Sequence, residues 1–241
     1  MTKYEEHILK VHNFYNDEEY TKAIRLCGKL IKEYPEYPDA YFERAMARMG
    51  QDKDKQALPD FEKVLELAPD FPGAKDWYAR ALSTSSKPYK AAEAKLASNH
   101  EKGLDHHLGM GVSPWSWAEC AQYFYDAGAK DRAMEVLQEY FQHYAHAVTY
   151  YASDSTAPLR LYATLLIERG DIHNALKAVE QARYSKHCVP ADWEIWIKLL
   201  ALNGETEKAL EELRTYIKQE LGGIEFDGIP ELRAEVLAMR K

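Results

Sequence analysis

The sequence predicts an all-α solenoid of about six helix-turn-helix repeats closed by a C-terminal capping helix, and three observations predict it. An alanine recurs inside a short helical pattern at Ala23, Ala57, Ala91, Ala133, Ala175 and Ala209, at intervals of 34, 34, 42, 42 and 34 residues. Four and seven positions after it stand further residues of the same helix face, as in Phe61/Val64, Leu137/Tyr140 and Leu213/Tyr216. Upstream runs a second apolar stripe, carried by Tyr41/Ala45, Tyr78/Ala79/Leu82, Trp117/Ala121/Phe124, Leu159/Ala163/Leu166 and Trp193/Ile197/Leu200. A lone helix pair cannot bury its apolar face, whereas stacked pairs share a continuous core in which the small alanine admits a close approach.

The elements follow in order as one array over residues 1–241, with repeats at about 4–37, 38–71, 72–105, 114–147, 156–189 and 190–223. Each pair is split by a turn: Asn16-Asp17-Glu18, Gly50-Gln51-Asp52, Ser83-Thr84-Ser85-Ser86, Ala127-Gly128-Ala129, Arg169-Gly170-Asp171 and Asn203-Gly204-Glu205. Pro35 and Pro69 close the first two units, where a helix has to stop. Lys95 and Ser98 stand in the third unit where most others carry apolar residues, a departure from the pattern. Residues 229–241 predict the cap: Leu232, Val236 and Leu237 share an amphipathic spacing, Pro230 suits a first helical turn, and Gly222-Gly223 lie in the linker before it. Two inserts break the 34-residue rhythm. The one at 98–113, with three glycines and Pro114 just beyond it, reads as a loop, while the one at 140–156 continues a helical pattern for about two turns. Inserts in solenoids project from the regular surface, so both are candidate contact regions.

These residues resemble the tetratricopeptide repeat family, whose 34-residue unit carries an aromatic, a small residue, a central alanine, a phenylalanine and a closing proline. The second unit matches with Tyr41, Ala45, Ala57, Phe61 and Pro69; the fourth with Trp117, Ala121, Phe124 and Ala133; the sixth with Trp193, Leu200, Gly204 and Ala209. The small position, often glycine in that family, is Val11, Ala45, Ala79, Ala121, Ala163 and Ile197 here. The resemblance covers residues 4–218 and implies a right-handed superhelical solenoid. It also implies a partner-binding groove lined by the first helix of each pair. Carried over position by position, the candidate partner-binding residues are Ile8, His12, Tyr15, Phe42, Met46, Met49, Arg80, Trp115, Gln122, Tyr125 and Arg160. Phe42, Met46, Met49, Trp115 and Tyr125 lie outside the repeat's packing positions, so exposed they would form a partner patch. Buried by inserts or neighbouring units, they would be packing residues. Chaperone-tail clamps in the family hold a carboxylate with lysine, asparagine and arginine. Ile8, His12, Phe42, Met46 and Asp76 occupy those positions here and only Arg80 fits, so the carboxylate clamp is rejected.

Composition narrows the function classes. The chain of 241 residues has 31 basic and 39 acidic side chains, a net charge of −8. That balance opposes binding to nucleic acid or anionic lipid and favours a basic partner. Residues 1–70 hold 11 basic against 15 acidic side chains and residues 190–241 hold 7 against 11, so the excess sits at the two ends. No 18-residue apolar run is present and the N-terminus shows no signal-peptide stretch, so a cytoplasmic chain is the expectation. Cys27, Cys120 and Cys188 lie far apart with no CxxC or Cys/His ligand spacing, so neither a disulfide framework nor a zinc module is expected. Cys120 reads as a buried structural thiol.

The densest polar cluster, His100-Glu101 with Asp105-His106-His107, carries metal-ligand residue types without a ligand spacing and reads as a solvated loop. His143 and His146 sit among Tyr140, Tyr144, Tyr150 and Tyr151 and read as part of an aromatic packing face. Phosphate-binding, dinucleotide and serine-hydrolase signatures are missing. The expectation is therefore a non-enzymatic interaction protein without metal or cofactor, binding one polypeptide that is basic or offers an apolar anchor. An immunity-type inhibitor of a basic toxin or a dedicated chaperone is the sharper form. A structural adaptor is the alternative, and a metal-dependent enzyme using the His100–His107 loop a remoter one.

Overall fold

The computed structural model of the chain describes residues 2–102, 112–143, 156–184, 188–219 and 228–239. Among them lie thirteen helices: α1 (Lys3–Asn16), α2 (Tyr20–Glu33), α3 (Pro38–Met49), α4 (Asp54–Leu67), α5 (Ala74–Thr84), α6 (Pro88–Lys102), α7 (Pro114–Asp126), α8 (Lys130–His143), α9 (Ala157–Glu168), α10 (Ile172–Arg183), α11 (Pro190–Leu202), α12 (Thr206–Gln219) and α13 (Ile229–Ala238). The chain divides into two compact units, Met1–Gly103 with Tyr123–Ala129, and Leu104–Gln122 with Lys130–Lys241. In the first, α1 to α6 pack in chain order, each against the next; in the second, α9 packs on α10, α10 on α11, α11 on α12, and α13 on both α11 and α12.

The alanine register explains this packing. Ala23, Ala57, Ala91, Ala133, Ala175 and Ala209 are each 0% exposed, as are the six residues at the small position of the partner helix. The residues four and seven positions after each alanine are also buried. Lys95 and Ser98 obey the same register although they are polar, because Asp76 on α5 takes both: Lys95 Nζ lies 3.1 Å from Oδ1, and the Ser98 hydroxyl donates to it at 3.1 Å. Burying such groups costs little once they are paired. The polar departure in the third unit is thus satisfied from the neighbouring helix.

Six turns close six pairs with one geometry. Glu18, Asp52, Ser86, Gly128, Gly170 and Gly204 all have positive φ, between 57° and 86°. Each is followed by an N–H that reaches back five residues, as in Glu19 to Phe14 (2.7 Å) and Asp171 to Leu166 (2.9 Å). This is the Schellman closure, which satisfies carbonyls that the helix end leaves open. Starts are equally explicit. Thr2 and Glu5 form a capping box on α1, and proline occupies the first or second position of α3, α9, α11 and α13, where its missing N–H costs nothing.

Two expectations are revised. The loop read from residue 98 begins later: α6 runs to Lys102 and buries Ser98 and Asn99. The cap packs through Ile229, Leu232 and Val236, while Leu237, expected on the apolar face, is 45% exposed. Residues 103–111 and 144–155, which carry most of both inserts, and Gly222-Gly223 lie outside the described residues.

Candidate partner-binding face

In the first unit the candidate residues lie on α1, α3, α5 and the last turn of α7. Ile8 and Tyr15 are half-buried and pack on a core of Val11, Ala23, Cys27, Leu30, Ala40 and Ala47. Tyr15 meets Tyr20 edge to face at 5.4 Å. Phe42, Met46 and Met49 are half-buried against a second core of Ala45, Ala57, Leu58, Phe61, Ala81, Leu82 and Ala91. The Phe42 ring lies 5.9 Å from Phe61 and 5.0 Å from Phe71, so this side chain belongs in large part to the packing of its own repeat. His12 and Arg80 are exposed, and the Arg80 guanidinium sits 5.2 Å above the Trp77 ring, one turn earlier on the same helix. Tyr125, in the last turn of α7, is half-buried.

Sequence reading missed Glu43. Its side chain is 16% exposed, and Oε1 meets His12 Nε2 at 2.7 Å across α1 and α3. Burial pushes its carboxyl above the usual range, against the opposing effect of His12, and Asp39 one turn back on α3 adds to the rise. The available signal was the 31-residue separation, three short of the repeat length, which brings neighbouring first helices side by side. Burial also pushes up the Tyr15 hydroxyl, with Tyr20 and Glu43 adding to the rise and Arg80 opposing it, so the three first helices share one electrostatic environment.

A second missed feature lies beneath this face. Asp60, 3% exposed, receives Arg44 through two bonds (2.9 and 2.6 Å) and Arg48 through one (2.7 Å). Arg44 and Arg48 are thereby committed to holding α3 against α4, and their charge is spent inside the unit.

In the second unit Trp115 is 52% exposed at the start of α7, and Gln122 is half-buried. Arg160 is turned inward. Its Nη1 donates to Thr156 Oγ1 (2.8 Å) and to Asp192 Oδ1 (3.1 Å), and Asp192, fully buried, also accepts from the Thr156 hydroxyl (3.0 Å) and the Val189 N–H (2.8 Å).

Among the described residues, no group of three or more His, Cys, Asp and Glu side chains is placed to hold a metal ion. His100 and Glu101 sit on the last turns of α6, where Glu101 pairs with Lys75, and His143 ends α8. Asp105, His106, His107 and His146 lie outside the described residues. Cys27 and Cys120 are both buried, and burial pushes the Cys27 thiol up to about 12, well away from nucleophilic use. No described helix is long and apolar enough to cross a membrane.

No family model matches the chain. It is 29% identical over 132 residues to Hsp70-Hsp90 organizing protein 2 of Arabidopsis thaliana, a stretch covering 54% of this chain and 22% of that protein. The chain therefore spans about a fifth of that relative. Among solved structures it is similar to YrrB, described as a TPR protein with an unusual peptide-binding site (TM-score 0.58, 16% identity, 88% of this chain and 96% of that one). It is similar also to pilF of Pseudomonas aeruginosa (0.61, 12% identity, 98% and 97%) and to Acl4, an assembly chaperone of RpL4 (0.59, 10% identity, 98% and 96%). Fold, repeat interval and the buried alanine register together give the chain the tetratricopeptide-repeat fold.

Proposed function

We propose that the protein is a non-enzymatic binding module for one polypeptide partner, and that the face formed by α1, α3 and α5 is where the partner lies. The single observation that carries this reading is the composition of that face. Tyr15, Met46, Met49 and Trp77 are only partly covered by their own cores, and exposed His12 and Arg80 stand among them. Aromatic and methionine side chains beside arginine give large contact area with adaptable shape. The relatives point the same way, one named for organising chaperones, one for its peptide-binding site and one as an assembly chaperone. With a net charge of −8 the protein suits a basic partner, held in the manner of a dedicated chaperone or an inhibitor. Trp115 and the inserts at 98–113 and 140–156 are the alternative contact regions.

The test compares full-length wild type with a Tyr15→Ala/Arg80→Glu double variant in affinity capture from the native cell, with circular dichroism on both proteins. A partner held by the wild type and lost by the equally helical variant is the expected result. A partner retained by the variant but lost on Trp115→Ala moves the site to the second unit. A partner retained by both variants removes the face reading.

A further inference from the structure

Resting on that reading, we propose that Glu43 is the seat for a lysine or arginine side chain of the bound peptide, set beside an apolar peptide residue that contacts Tyr15 and Met46. Glu43 is an acid of this face whose side chain is largely covered, 16% exposed, and which meets no lysine or arginine of the chain among the described residues. Its Oε1 is bonded to His12, and among the described residues Oε2 accepts no hydrogen bond. An ionised carboxylate offers about four lone-pair sites, so His12 leaves room for a second donor. Asp39 stands four residues earlier on the same face of α3, where like charges repel one another, and a cation between them relieves that repulsion.

The protein's own cations do not fill this role. Arg44 and Arg48 are bound to Asp60, and Lys95 to Asp76. Arg80 stacks on Trp77 and reaches the environment of Tyr15. A partly desolvated carboxylate left with one histidine is poorly compensated, and a charge-assisted bond from a partner cation is strongest in such a place. Tyr15 and Met46 give the anchor. Tyr15 lies close enough to Glu43 to feel its charge, and Met46 is one helical turn beyond it. The recognised element is therefore short: one long cationic side chain next to one apolar one.

The experiment is a selection from a random octapeptide display library on the immobilised full-length protein, repeated on Glu43→Gln. Selected peptides are then synthesised and titrated into wild type, Glu43→Gln and an exposed-acid control, Glu6→Gln. The expected result is a lysine or arginine at one fixed position beside an apolar residue. Glu43→Gln then weakens binding by about 10-fold or more with unchanged helicity, Glu6→Gln leaves it unchanged, and selection on Glu43→Gln loses the basic position while keeping the apolar one. Peptides without a fixed basic residue, or a basic preference that survives in Glu43→Gln, overturn the seat and leave the face reading standing. Failure to select any peptide overturns both.

Discussion

The two units settle their buried acids differently. In the first, Asp60 is held by Arg44 and Arg48 of α3, neither of which is a candidate position. In the second, Asp192 on α11 recruits Arg160 from the candidate position itself, and Lys198 pairs with Glu235 of the cap at 2.7 Å. An arginine at a candidate position is thus spent on cohesion in the second unit, whereas Arg80 in the first stays exposed, and the difference follows from whether a buried acid lies within its reach.

The strongest way to break this contrast is to remove one arginine from each unit. Arg160→Ala leaves the fully buried Asp192 with a hydroxyl and an N–H but no cation, and breaking a buried pair in this way costs about 3 kcal/mol. Arg80→Ala removes an exposed side chain stacked on a ring and changes stability by no more than about 0.5 kcal/mol. Urea denaturation of both variants measures the difference. Equal costs would mean that Arg160 is no more committed than Arg80, and the second unit would regain its candidate.

The turns give a second contrast. The first three pairs close with Glu18, Asp52 and Ser86 in the left-handed region, and the last three with Gly128, Gly170 and Gly204. A side chain there costs roughly 1 kcal/mol, and a Cβ added at Gly128, Gly170 or Gly204 meets no atom within 4 Å, so conformation alone sets the penalty. Gly128→Ala is expected to lower stability by about 1 kcal/mol, and Ser86→Gly to raise it by about half as much, because glycine also loses more freedom on folding. Thermal melts of the two variants moving in the same direction would show that contacts rather than backbone conformation govern these turns.

How much of this was legible follows from distance along the chain. The alanine register, the stripe before it and the turn after it are local patterns that recur, and the helices appear where those patterns stand. The third unit shows the limit. Lys95 and Ser98 read as a defect because their partner Asp76 lies 19 to 22 residues away on another helix, and only the packing brings the carboxylate to them. Arg160 and Glu43 were opaque for the same reason: Asp192 lies 32 residues from one and His12 31 residues from the other, intervals set by neighbouring repeats rather than by a motif. Phe42 was open in another way: its position in the repeat allows either an exposed or a packed ring, and Phe71, in the turn before the next helix, packs against it.

The smallest effect bears most directly on the first unit's face. Burial raises the Glu43 carboxyl above its ordinary value, so the folded state holds that proton more tightly than the unfolded chain does. A raised acid contributes stability that is fully present below the unfolded value and is lost as pH rises through the folded one. Replacing it with neutral Gln removes that dependence. Glu43→Gln is expected to match the wild type at a pH below the ordinary glutamate value and to become more stable than it once the pH has passed the raised one, a difference that urea titrations at a series of pH values resolve. A flat profile for Glu43 would mean that His12 compensates its charge fully, and the first unit would then be as self-sufficient as the second.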